Sequence, residues 1–146
     1  MAINTTGTWW VGNAATDIGP YLEGYASKGT EVHEFRLAKC GCGSESFRLF
    51  ADDEEGVAKR VCTQCNLEHM ICDSAEYWAN AQPEECLCVE CNASAHNVGV
   101  GFSLYPDKSA VKWLYAGERC TNCGILGCFA GWKIAYEPSL QLMDQV

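Results

Sequence analysis

Eleven cysteines stand in 146 residues. Eight of them form four close pairs: "CGC" (Cys40, Cys42), "CTQC" (Cys62, Cys65), "CVEC" (Cys88, Cys91) and "CTNC" (Cys120, Cys123). Thiolate sulfur is a soft ligand, and two such pairs can fill all four positions around a tetrahedral metal ion. Cys42 and Cys62 have 19 residues between them, inside the usual range for such a site; Cys91 and Cys120 have 28, which suits a longer hairpin. Each pair's second cysteine is followed by Gly43, Asn66, Asn92 or Gly124. A metal knuckle turns its backbone sharply after the second thiolate, and that turn needs a residue tolerant of positive φ. The same choice in four places marks Cys42, Cys65, Cys91 and Cys123 as second ligands, with Cys40, Cys62, Cys88 and Cys120 as their partners. Cys86 stands as an alternative to Cys88.

With these motifs the chain resembles the zinc-ribbon family, in two copies over roughly residues 31–82 and 86–138. The resemblance implies a β-hairpin in each copy, with a cysteine knuckle on either side of it clamping one Zn²⁺, and so two zinc ions per chain. The first knuckle departs from the pattern, since one residue and not two separates Cys40 from Cys42. A unit of ~50 residues buries little apolar surface, and zinc would supply the missing stability. A rubredoxin-like iron site uses the same two-knuckle geometry and is the rival metal.

The elements that must position these cysteines are read from periodicity. Ile18, Tyr21, Leu22 and Tyr25 recur at i, i+3, i+4 and i+7, which predicts a helix over 16–29, capped by Thr16 or Asp17 and ended by Gly29. Alternation predicts a strand over 31–40. Segments 46–50 and 57–62 read as a hairpin whose "DDEE" turn is a solvated tip. Asp73 and Glu76 look like a capping box for a short helix over 73–81, stopped by Pro83. Segments 97–105 and 111–120 form a second hairpin, 127–138 one more strand, and the last residues a short helix. "TWWVGNA" (8–14) reads as an edge strand or a docking arm, possible also against a second subunit. The expected fold is therefore a small, metal-stabilised α+β protein, mainly β, with two tandem zinc-ribbon units and an N-terminal helix. The divisions are an arm and helix at 1–30 and ribbons at 31–82 and 83–146, the ribbons sharing one compact body.

Formal net charge is −9, with the acid concentrated between residues 40 and 85 around "ADDEEG" and "PEE". That balance disfavours bulk attraction to nucleic acid. No Ser-His-Asp signature, phosphate loop or open zinc motif is present, so no catalytic residue is assigned. The expected function is a non-enzymatic zinc protein, an adaptor or regulator for a protein partner with a basic surface, with self-association possible through hairpin edges. Nucleic-acid binding through Lys112, Trp113, Tyr115 and Arg119 is the alternative. A redox or metal-handling role, using iron or the spare Cys72, Cys86 and Cys128, is a further one. Cys72 and Cys128 fall at roughly equivalent places after their knuckles, and His69 is placed to support a thiolate. No apolar run approaches the ~18 residues of a membrane span, and the first residues do not read as a secretory signal, so a cytoplasmic setting is expected.

Overall fold

The computed structural model describes residues 3–146 as a mainly β protein with one antiparallel sheet and one substantial helix. A 3-10 turn, Ala15–Asp17, runs into α1 (Ile18–Tyr25). The strands are β1 (Glu34–Leu37), β2 (Phe47–Asp52), β3 (Val57–Cys62), β4 (Glu68–Met70), β5 (Glu84–Cys86), β6 (His96–Leu104), β7 (Val111–Cys120) and β8 (Leu126–Lys133). A short α2 (Ser74–Tyr77) lies between β4 and β5, and Leu140–Asp144 forms a final 3-10 turn. The sheet runs β4-β3-β2-β6-β7-β8, with β1 added to β6 and β5 added to β2.

The two hairpins, β2–β3 and β6–β7, meet at one residue pair. Phe47 lies five residues past Cys42 and faces Cys62 across the first hairpin; His96 lies five past Cys91 and faces Cys120 across the second. Phe47 and His96 also pair with each other, antiparallel, where β2 meets β6. A pseudo-twofold axis thus passes between them. The strands that lead into the cysteine pairs obey it. β1 precedes the first pair but adds to β6 of the second half, while β5 precedes the third pair and adds to β2 of the first half. Each half therefore completes the sheet of the other. One core joins them, built from Phe47, Leu49 and Cys62 on one side and Val98, Val100, Phe102 and Leu114 on the other.

Helix α1 lies against the second half. Its fully buried Ile18 and Leu22 match the expected apolar stripe. They reach the sheet at Gly117, where an added Cβ would come within 2.7 Å of Ile18 Cγ2 and 3.0 Å of Leu22 Cδ1. Replacing Gly117 by valine is expected to lift α1 and cost about 1–3 kcal/mol in chemical denaturation, the usual penalty of overpacking; an unchanged midpoint would show that the helix is not seated there.

Several local expectations need correction. The helix is shorter than 16–29, and neither Thr16 nor Asp17 caps it; the Asp17 carboxylate instead accepts the N–H groups of Asn13 and Ala14 upstream. Asp73 makes no capping bond either. It is buried, and its two oxygens accept Trp132 Nε1–H at 3.0 Å and the Tyr136 hydroxyl at 2.9 Å, so distant aromatic donors win it from the local turn. The "DDEE" turn is not merely a solvated tip. Asp53 accepts the Gly131 N–H at 2.9 Å, Asp52 accepts the Gln82 N–H, and Gly56, at φ 73°, sits against Trp132. The arm at 8–14 docks within the chain: Val11 bridges Ile125, Gly12 donates to Gly124, and Leu126 donates to Trp10.

Candidate metal centres

Each cysteine pair is built by one backbone device used four times. The N–H of the residue after the second cysteine returns to the first cysteine's carbonyl: Gly43 to Cys40, Asn66 to Cys62, Asn92 to Cys88 and Gly124 to Cys120, at 2.8–2.9 Å. These four residues have φ of 97°, 62°, 61° and 82°, the left-handed region that Gly and Asn tolerate. The first cysteine's own N–H then closes the turn onto Ser44, Leu67, Ala93 or Ile125. In "CGC" both bonds span one residue fewer, which is how the shorter knuckle keeps its shape.

Threonine fixes the two closing knuckles to their hairpins. The Thr63 N–H and hydroxyl both donate to the Ser46 carbonyl, at 3.1 and 3.2 Å; those of Thr121 both donate to Ala95, at 3.1 and 3.0 Å. The repeated "CT" is thus a tether. Thr121→Val keeps the shape and removes the hydroxyl, and is expected to cost about 1 kcal/mol in thermal or urea unfolding; no loss would show that the hydroxyl bond contributes nothing.

All eight candidate ligands come together in two groups, Cys40, Cys42, Cys62 and Cys65, and Cys88, Cys91, Cys120 and Cys123, with sulfurs within 4.8 Å of one another in each. The nearest sulfurs are Cys40–Cys65 at 3.5 Å and Cys42–Cys62 at 3.6 Å in the first group, Cys88–Cys123 and Cys91–Cys120 at 3.5 Å in the second. The edge of a tetrahedron with Zn–S bonds of ~2.3 Å is about 3.8 Å, so a metal ion fits with little adjustment. Within each knuckle the first cysteine is buried and the second turns outward.

The electrostatics also favour a cation. Burial raises the Cys62 thiol, but the N–H groups of Cys65 and Gln64 bring it down to about 6. The Asn122 side chain and the Ala93 N–H bring Cys91 to about 6. Cys65 rises to about 12: the Leu67 N–H pulls it down, but the Cys40 thiol, burial and the other sulfurs outweigh that pull. Burial, with Cys88, raises Cys123 to about 12. In each group one thiolate forms readily while another thiol is held protonated, so four thiolates together need a positive ion at their centre.

The other cysteines join neither group. Cys88, not Cys86, enters the second one. Cys86 sits in β5 opposite Leu49, the place that Ala38 holds opposite Val98 across the pseudo-twofold, and is core material. Cys72 and Cys128 are not equivalent. The register pairs Cys128 with Gly117 and Met70 with Lys59, so Met70 is the counterpart of Cys128. Cys72 and Cys128 rest on the Leu142 and Ala130 carbonyls, and burial pushes both thiols up, Cys128 to about 12. Neither is poised as a nucleophile. His69 does not support a thiolate; its Nε2 lies 2.9 Å from the Gln145 carbonyl.

Lys112 and Arg119 of the basic-aromatic strand are engaged within the chain. Strand alternation separates Lys112 from Trp113 and Tyr115. Lys112 donates to the Gly29 carbonyl, Arg119 to Gly12 and Asn97, and the Tyr115 hydroxyl is tied to Thr30. No helix of the described residues is long and apolar enough to cross a membrane.

No protein-family model, curated protein or solved structure matches the chain.

Proposed function

We propose that this chain is a tandem zinc-ribbon protein with two structural Zn²⁺ ions, Cys40, Cys42, Cys62 and Cys65 holding one and Cys88, Cys91, Cys120 and Cys123 the other. The observation that carries the reading is the closure of each group by four sulfurs of the chain itself, 3.5–3.6 Å apart at their nearest. A shell of that kind leaves no position for substrate or water, which suits a structural ion and a non-enzymatic role. The setting is cytoplasmic and reducing, a reading supported by eleven cysteines of which none stands in a disulfide.

The function is that of an adaptor or regulator. Asp53, Glu54, Glu55, Glu68, Glu76 and Glu84 are exposed on the first half and suit a partner with a basic surface. The sheet ends at β4 and β8, and the edge of β4, with the part of the β8 edge that Trp10 and Asp53 leave open, offers a route to self-association. Nucleic-acid binding is the weaker reading, since Lys112 and Arg119 are spent on the chain's own carbonyls.

Cobalt substitution tests the closed shell. The expected result is the visible absorption of two tetrahedral all-thiolate sites, unmoved by added cyanide or imidazole. A spectrum that shifts with either anion or base would reveal an open position and overturn the non-catalytic reading.

A further inference from the structure

The pseudo-twofold relates two places that are chemically unlike. Arg60 and Glu118 each stand two residues before the first cysteine of a closing knuckle, and their cross-strand partners are His69 and Gly127. Phe47 and His96 face the same knuckles. In the first half the place is filled by the chain. Arg60 Nε donates to the Val146 carbonyl at 2.8 Å, its guanidinium lies over the Phe47 ring at 4.6 Å, and His69 meets Gln145.

In the second half the same place is a cavity of about 280 Å³, bounded by Trp9, Tyr21, Tyr25, His96, Glu118 and Gly127 among others. Gly127 stands where the first half has the His69 ring, and so leaves room. Glu118 Oε2 is buried without a hydrogen-bond partner among the described residues. His96, 1% exposed, keeps its Nδ1 on the Ser94 carbonyl at 3.1 Å, so the neutral ring presents its Nε2 lone pair, 3.7 Å from Glu118 Oε2. With Glu118 ionised, its Oε2 and the His96 Nε2 face each other too far apart to bond directly, yet close enough to share one nitrogen that carries hydrogens. Tyr21, Tyr25 and Trp9 line the same cavity, and aromatic rings are favourable neighbours for a cation. Trp9 and Tyr25, 44% and 53% exposed, stand at the mouth.

We propose that this cavity is a binding site for a small organic cation with N–H donors, an alkylammonium or guanidinium group, held by Glu118 and His96 and walled by Tyr21, Tyr25 and Trp9. The group is either a free amine or the lysine or arginine side chain of a partner. The site lies in the half opposite the exposed acidic surface and does not depend on it.

The test is calorimetric titration of the metal-loaded full chain with methylguanidinium and n-butylammonium, with methylurea and n-butanol as neutral matches. A short blocked peptide carrying one arginine forms the second arm. Saturable binding of the cations but not of their neutral matches is expected, weakened on the order of tenfold by Glu118→Gln. Binding of the free cations would identify a small-molecule site, and binding of the peptide alone a partner's side chain. Tyr25→Ala, at the exposed mouth, gives a second variant should Glu118→Gln lose metal, with an expected loss on the order of fivefold. Cations and neutral matches binding alike, no binding of any probe, or full affinity in a folded Glu118→Gln variant would overturn the proposal.

Discussion

Cys62→Ser is expected to unfold the second half of the chain as well as the first. Cys62 is fully buried, pairs with Phe47, and contributes both to a four-thiol group and to the common core. A structural zinc site supplies on the order of 10 kcal/mol, and a domain of this size has only about 5–15 kcal/mol in total. Loss of one site therefore exceeds what the remainder can offset. The exchange of β1 and β5 carries the damage across: when the first knuckle loosens, β1 loses its anchor and β6 loses β1, while β5 loses its place on β2. Circular dichroism and metal content of the variant check this. The expected result is a chain without cooperative unfolding and with less than one ion bound. A variant that keeps one full site and half of its sheet would show that the halves fold independently.

The second large effect is expected at the pseudo-twofold itself. Phe47 is wholly buried, meets His96 and Cys62 on its two sides, and carries the Arg60 guanidinium on its face. Phe47→Ala removes a large core side chain at the junction of both halves and leaves the Arg60 guanidinium facing a void. The expected cost is about 3–5 kcal/mol, read from urea denaturation of the metal-loaded protein. Phe47→Leu fills most of the space and should cost less than about 1.5 kcal/mol. A loss below about 1 kcal/mol for alanine would mean that the junction packs elsewhere.

The candidate site was legible because its determinants are local. A sharp turn after a thiolate needs positive φ, and Gly43, Asn66, Asn92 and Gly124 declared it without knowledge of the rest of the chain. The hairpins β2–β3 and β6–β7 were legible for the same reason, being alternating segments joined by short turns. What joins them was not. β1 lies within the strand expected over 31–40 and β5, three residues long, is too short for a period to speak, but the partners of both lie in the opposite half. Asp73 shows the other limit: a sound local motif gave way to Trp132 and Tyr136, which approach only once the sheet has formed. Counting from their knuckles makes Cys72 and Cys128 look equivalent, whereas equivalence follows strand register. The repeated threonine carries a further signal, whose cause lies in the fold. The threonine of "CTQC" recurs in "CTNC", and its tether to Ser46 and Ala95 is a reason for that recurrence.

The most direct test of the central claim is the mass of the intact, natively purified chain, with elemental analysis of the same sample. Two zinc ions per chain, lost together with the fold on chelation, is the predicted result. Iron in their place, fewer than two ions, or a chain that stays folded after its metal is removed would contradict it.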